Sequence, residues 1–276
     1  MSDTLKAALW YAAKKGWPVL PLHSPVDGAC SCQHPDCTSP GKHPLTPNGL
    51  TDATMDTGII NAWWRRWPHA NAGIVAGPKS GLFILDVDDK NGGMDTIATL
   101  PPLPETVVAL TGGGGLHYLF KYPLGKTLHN SAGLLGPGLD TRGDGGYIVT
   151  APSLHISGAN YTWEVTCRPD TLELADIPDW MLTKLLEHGR TDKQAEKVDG
   201  LIVNGARDNT LTSMAGTMRR RGFSERAILA ALFVENEDRC VPPLDDESVR
   251  RIAGSVGRYA PENQSRGQGN DFDHLL

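Results

Sequence analysis

Residues 81–90, GLFILDVDDK, decide how this chain is read: an apolar run from Leu82 to Leu85 leads into two carboxylates one residue apart, Asp86 and Asp88. Side chains alternate across a strand, so a strand here turns both carboxylates to one face and Val87 to the other, into a core. Two parallel carboxylates at a strand's end suit Mg²⁺ or Mn²⁺. These hard cations take oxygen ligands and are commonly shared with the phosphates of a substrate. The same residues also fit a strand that ends in a solvated acidic turn, DDKNGG, and what separates the two readings lies downstream.

The 276 residues, 39% hydrophobic, suffice for a core in one large domain or in a domain with a smaller companion. No run approaches the roughly 20 consecutive apolar residues of a membrane span, and the N-terminus lacks a secretory apolar segment. A soluble, cytoplasmic protein with no membrane partner is expected. A net charge of -6 tells weakly against a protein coated in nucleic acid, but not against one groove that holds a strand.

Upstream, residues 3–15 carry Leu5, Ala8, Leu9 and Ala12 at helical spacing, with Ser2 or Asp3 as a cap and Gly16 as the stop. A short strand, PVLPL, follows. Residues 29–44 are rich in turn formers and poor in apolar side chains, so something other than hydrophobic burial must order them. Cys30, Cys32, Cys37 and His43 offer the four ligands of a structural Zn²⁺, with His34 a rival for the fourth position. Reduced cysteines in an ordinary surface loop are the alternative. Five cysteines, three of them crowded here, fit a metal site better than a disulfide framework.

Residues 56–67 place Ile60, Trp63, Trp64 and Trp67 on one face of a helix, a pattern of core anchors. AGIVAG and GLFILDVD look like strands paired around the turn GPKSG, and residues 91–100 like a helix. TVVAL and LHYLFKY read as strands on either side of residues 112–115, four glycines in a row. Glycines let backbone N–H groups approach a phosphate, and His117 opens the next strand, where an imidazole can donate to phosphate oxygens. No GK[ST] follows and a strand comes next, so this is not the loop of a P-loop enzyme. Residues 137–153, PGLDTRGDGGYIVTAPS, add Asp140 as a third carboxylate and Arg142 as a fork for phosphate oxygens, beside Asp144. The same spacing fits a hairpin loop whose acids and arginine pair in water.

Taken together and in this order, LDVD, TGGGGLHYLF and LDTRGDGGYIV resemble the catalytic domain of the archaeo-eukaryotic primase superfamily, in particular phage and plasmid bifunctional primase-polymerases. The flanking CSC, PGKHP, GPKSGLFILDVD and GGYIVTAPS are similar as well, and the resemblance covers roughly residues 5–185. It implies an α/β (α+β) fold whose palm resembles an RNA-recognition motif. It implies two-metal nucleotidyl transfer on a single-stranded DNA template, with Asp86, Asp88 and Asp140 holding Mg²⁺ or Mn²⁺ between a 3'-hydroxyl and an incoming NTP or dNTP. His117 inherits contact with the nucleotide's phosphates, with Gly113, Gly114 and Gly115 as backbone partners. Arg142 is added as a phosphate ligand, and Asp144 is the fallback for Asp140. A metal-dependent nuclease and a catalytically inactive single-strand-binding module are the rival readings.

A catalytic domain over residues 1–189 is therefore expected, ended by the helix PDWMLTKLLEHG, then a polar linker at 190–200. Residues 208–221, 224–236 and 246–259 read as three helices capped by Asp208, Ser224 and Asp245 or Asp246. This stretch, 201–260, is similar to the primase C-terminal helical domain, which nominates Arg207, Asn209, Arg219, Arg220 and Arg221 for phosphate contacts. Residues 261–276 are expected to be disordered. The resemblance also implies a helicase region or subunit as partner, and a phage or plasmid origin in a bacterial cell.

Overall fold

The computed structural model describes residues 1–191 and 200–257, so residues 192–199 of the linker expected at 190–200, and the expected tail at 261–276, lie outside the described residues. The chain forms two compact units, Met1–Thr191 and Asp192–Leu276.

Unit one opens with α1 (Asp3–Trp10). The Ser2 hydroxyl caps it by accepting the Leu5 N–H, and the helix widens into a π turn, Tyr11–Lys15, before a left-handed Gly16 ends it. Strand β1 (Val19–Leu22) follows, then a hairpin of β2 (Pro25–Val26) and β3 (Ala29–Cys30). Asp56 caps α2 (Thr57–Arg66) through the N–H groups of Gly58 and Ile59. Ile60 and Trp64 are buried and Trp63 and Trp67 pack against the same core, which makes the tryptophans anchors as their spacing predicts.

Next come β4 (Asn71–Val75), β5 (Leu82–Val87), α3 (Gly93–Ala98), β6 (Val107–Leu110), β7 (Leu116–Lys121), β8 (Leu139–Arg142) and β9 (Tyr147–Val149). Two short strands, β10 (Thr162–Trp163) and β11 (Ala175–Asp176), lead to α4 (Asp179–Thr191). These elements build two main sheets, one ordered β1-β4-β9 and one ordered β10-β6-β7-β5-β8, with β11 parallel to the end of β7 that β6 leaves free. Helix α3 is shorter than the expected 91–100, because a separate 3₁₀ turn, Asp89–Asn91, precedes it.

The expected pairing of AGIVAG with GLFILDVD is corrected. Strand β4 has β1 on one edge and β9 on the other, and it meets β5 only through the bridge from Gly77 to Leu82. All five residues of β4 are buried, so both of its edges need partners inside the core. The turn carries the chain from one sheet to the other. At Gly77 (φ +95°) an added Cβ would stand 2.8 Å from the Asp144 Cα, so the glycine lets the 143–144 backbone pack against this crossing.

Strand β5 is the central partition. Leu82 and Ile84 face a core shared with α1, α2, β1 and β4, while Phe83, Leu85 and Val87 face one shared with α4 and the loop before β8. Alternation then places Asp86 at the open end of the Leu82–Ile84 face.

Unit two comprises β12 (Ile202–Val203), α5 (Arg207–Arg220), α6 (Glu225–Arg239), β13 (Cys240–Val241) and α7 (Asp246–Gly257). Leu211, Ala215, Ile228, Leu232, Val249 and Ile252 fill its core. The parallel pair β12–β13 was not foreseen, since two-residue strands carry no periodicity. Ser224 and Asp245 cap α6 and α7 as expected, through the N–H groups of Ala227 and Ser248. Asp208 does not cap α5. The N-cap position is Ala206, and Asp208 instead pairs with Arg251 of α7. The buried Asn236 side chain bonds both the N–H and the C=O of Leu244, which pins the proline-rich turn before α7. Among the described residues no helix is long and apolar enough to cross a membrane.

Because Phe83 is wholly buried between β5 and α4, Phe83→Ala is expected to cost about 3–5 kcal/mol in denaturant unfolding. A loss below about 1 kcal/mol would be incompatible with a filled core at that position.

Candidate active site

Backbone register brings the polar residues of unit one together. Asp86 of β5 lies opposite His117 of β7 on one side and opposite Asp140 of β8 on the other. Residues directly opposite in antiparallel strands share a face, so the three form a row across the sheet. Arg142, two residues along β8, shares that face.

Arg142 ties the row together. Its guanidinium donates to Asp86 Oδ2 at 3.1 Å and to Asp140 Oδ2 at 3.2 Å, while His117 Nε2 lies 3.4 Å from Asp86 Oδ1. Burial works to raise the Asp86 carboxyl. The hydrogen bond and charge of His117, and then those of Arg142, outweigh it and hold the group down at about 2. Asp86 is therefore a half-buried acid that stays ionised at neutral pH. His117 is itself only 5% exposed, and its Nδ1 is buried without a hydrogen-bond partner.

Asp88 lies just past the end of β5, exposed, and faces a different demand. Its carboxylate accepts from the Lys90 N–H at 3.1 Å and from Asn91 Nδ2 at 2.6 Å, capping the 3₁₀ turn. Among the described residues, the one group of three or more His, Cys, Asp or Glu side chains whose ligand atoms lie within 4.8 Å of one another is the Cys/His group of residues 30–43. Asp86, Asp88 and Asp140 are gathered less tightly: Arg142 bridges two of them, and Asp88 is turned to its own loop. All three line one cleft of about 510 Å³, with His117, Arg142, Gly113 and Gly115. Asp144 is not in that lining; it is exposed, and its backbone packs beside Gly77.

The glycine turn is built for close packing. A Cβ at Gly115 would stand 2.2 Å from the Val87 carbonyl oxygen, and one at Gly112 would stand 2.2 Å from the His155 Cβ. Inside the turn, Gly114 N–H donates to the Thr111 carbonyl and Gly115 N–H to Thr111 Oγ1. The Gly113 N–H takes no part in these turn bonds.

Four cleft residues escaped the sequence reading: Lys42, Lys90, His155 and Tyr161. His155 is 7% exposed beneath the glycine turn, and its Nδ1 is held by the N–H and hydroxyl of Ser157. Burial, with the charges of Lys42 and Lys90, lowers its pKa. Tyr161, 3% exposed, stacks on His117 with ring centroids 6.2 Å apart and meets His155 edge-on at 5.9 Å. Its phenol is pushed upward, first by burial and then by the Asp86 charge. None of the four stands in a periodic segment; the polar loops that carry Lys42 and His155 show such roles only once folded.

The loop at 29–44 gathers Cys30, Cys32, Cys37 and His43 as their spacing suggested. His43 Nε2 is 3.3 Å from Cys30 Sγ and 3.6 Å from Cys37 Sγ. The S···N edge of a tetrahedral zinc site is about 3.5 Å, so this donor set fits that ion. Burial tends to raise the Cys30 thiol, but the N–H groups of Cys32 and Gly41 and the His43 ring bring it down to about 6. His34 is exposed outside the group and accepts the Asp36 N–H.

The five polar residues nominated in unit two are not brought to one place. Arg207 and Asn209 sit in the first turn of α5, and Arg219, Arg220 and Arg221 at its end, about 18 Å away along the axis. Arg207 donates to the Pro242 carbonyl and to Asn204 Oδ1, so it braces the bundle. Arg219 donates to the Phe223 carbonyl and Arg220 to Thr217 Oγ1, while Arg220 and Arg221 are exposed.

Comparison with known families supplies the name for this arrangement. Residues 8–180 match the family described as bifunctional DNA primase/polymerase, N-terminal, and residues 195–262 match the one described as primase C terminal 1. No curated protein matches the chain. The first match takes in more than half of the sequence, including both the carboxylate row and the Cys/His loop. The chain therefore belongs to the bifunctional DNA primase/polymerase family and carries a primase C-terminal domain behind the primase/polymerase domain.

Proposed function

We propose that the chain is a template-directed DNA primase and DNA polymerase that joins NTPs or dNTPs on single-stranded DNA. The observation that carries this reading is the row His117–Asp86–Asp140 across three strands, with Asp88 at the rim of the same cleft. Three motifs far apart in sequence meet there. The order β6-β7-β5-β8, with α3 crossing from β5 to β6, supports a palm of the RNA-recognition-motif kind.

Asp86, Asp88 and Asp140 would hold the Mg²⁺ or Mn²⁺ ions, two in the full reading. Three carboxylates around one cleft match the oxygen preference of these cations. When bound, the ions supply a lowered pKa for the attacking 3'-hydroxyl and neutralise charge on the leaving pyrophosphate. Arg142 stands between Asp86 and Asp140, so its guanidinium keeps two like charges adjacent at little cost and is placed to turn toward phosphate oxygens. His117, locked by Asp86, lies where the nucleotide's phosphates would pass, and Gly113 offers its N–H from the turn beside it. Tyr161 keeps its proton and packs the His117 ring in place.

The Cys/His group would hold one structural Zn²⁺, since four protein ligands close a tetrahedral shell and leave no position for substrate. The domain limits follow as 1–189 for catalysis, 190–200 for the linker and 201–260 for the helical domain. In the latter, the exposed Arg220 and Arg221, with Arg219 and Asn209, are the candidates for DNA phosphates, and Arg207 a brace that adds to them. A helicase partner and a phage or plasmid element in a bacterial cytoplasm complete the reading.

A gel assay on unprimed single-stranded DNA with labelled nucleotides and Mn²⁺ or Mg²⁺ tests it. The native chain is expected to make short products, and the double variant Asp86→Ala, Asp88→Ala to fall to background while still binding DNA. Equal binding with no synthesis by either protein would point to a binding module, and template degradation to a nuclease. Metal analysis of protein purified without added zinc is expected to give near one zinc per chain; a value near zero in folded protein would remove the ion. For Asp86, the folded carboxyl near 2 lies below its ordinary 3.8. Its contribution to stability is thus complete above 3.8 and lost as pH falls toward 2. Arg142→Met is expected to shift the acid-unfolding midpoint to higher pH, and an unchanged midpoint would refute the pairing.

A further inference from the structure

We propose that Lys42, Lys90 and His155 form the seat for the triphosphate of the incoming nucleotide, and that the Cys/His loop serves to hold Lys42 in that seat. The proposal rests on the nucleotide-binding reading of the cleft given above.

The carboxylates and Arg142 account for part of the cleft wall. The same wall also holds Lys42, Lys90 and His155. Neither lysine ammonium makes an ion pair among the described residues, and both charges act on the His155 ring. Two cations without ion-pair partners lining one cleft repel each other, an arrangement that an anion relieves.

His155 is held in a fixed place. Its Nδ1 lies 2.9 Å from the Ser157 hydroxyl and 3.2 Å from the Ser157 backbone nitrogen. The Ser157 hydroxyl is anchored in turn on the Gly112 carbonyl at 2.7 Å. Nε2 lies beside Gly113, 3.6 Å from where a Cβ there would stand, and both residues line the cleft. Gly112 permits this, since a side chain there would displace the histidine.

Lys42 is held by the metal-binding loop. It sits between Gly41 and His43; its N–H donates to the Ser39 carbonyl and its own carbonyl accepts the Tyr147 hydroxyl at 2.9 Å. The Gly41 N–H donates to Cys30 Sγ, and the Gly41 carbonyl accepts from Asn71 Nδ2. With few apolar side chains in the loop, the Cys/His group is what fixes the backbone that aims this lysine. The cleft, about 510 Å³, is of the size that encloses a small ligand, and this favours a nucleotide's triphosphate over a length of template backbone.

Equilibrium binding of a non-hydrolysable dNTP analogue with Mg²⁺, beside binding of single-stranded DNA, provides the test. Lys42→Ala and Lys90→Ala are each expected to weaken the analogue about tenfold, the worth of one charge-assisted contact, with DNA affinity unchanged. KM for dNTP should rise by the same factor with kcat little altered. His155→Gln should weaken the analogue as well. Removing zinc by chelation, with folding monitored by circular dichroism, should weaken the analogue in the native chain and add little in Lys42→Ala, because the two changes act through one group. Unchanged analogue binding in both lysine variants overturns the proposal. So does a loss confined to single-stranded DNA, which would make the wall a template site. If the native chain binds no dNTP analogue, the nucleotide-binding reading fails together with this one; if it binds and extends normally while the variants match it, only this inference fails.

Discussion

A strand buried on both faces can carry a charged side chain only where the sheet opens and where opposite charge stands within reach, and β5 obeys this constraint. Five apolar residues fix its position between two cores, so Asp86 has no freedom to move away from the interior. Its charge is kept by His117 and Arg142, which its two neighbouring strands supply from fixed register positions. Removing a buried carboxylate's partners would leave it desolvated and unmatched, which is far more costly than an exposed pair is worth. The same pairing that solves a folding problem presents an acid, an imidazole and a guanidinium side by side in one cleft.

The glycines and the Cys/His loop show two further ways of holding polar backbone near that cleft. At Gly112 and Gly115 the gain is space: the turn rests on β5 and on His155 at distances no side chain would allow. In the Cys/His loop four side chains of metal-ligating chemistry gather where apolar ones are few, and a tetrahedral ligand set can replace apolar burial in a short segment. Backbone bonds then fasten the loop to β1, His23 N–H to the His43 carbonyl and Leu45 N–H to the Pro21 carbonyl. Unit two is held differently, by an apolar core with a buried asparagine and an arginine that both bond the proline-rich turn before α7.

Much of the site was legible in the chain because it is local. The alternation in residues 82–88, the four glycines, and the cysteine spacing each state their chemistry within a few residues, and they did so correctly for the orientation of Asp86 against Val87 and for the gathering of Cys30, Cys32, Cys37 and His43. The pairing of β4 was misjudged because a short apolar strand beside a tight turn looks like half of a hairpin whether or not its edges are already taken. Asp208 was misjudged because an aspartate near a helix start looks like a cap, yet an arginine 43 residues away claimed it. Lys42 and His155 could not be found by spacing at all.

The sequence by itself determined most of the longer strands and helices, the clustered Cys and His side chains and the residue types of the carboxylate site, because periodicity and turn chemistry act between near neighbours. Only the tertiary structure decided that Asp86, His117 and Asp140 stand in one row, that Arg142 bridges two of them, and that Lys42 and His155 line the same cleft. Register between strands is set by which cores the two faces of each strand must fill. That is a property of the packed whole and is written in no single stretch of the chain.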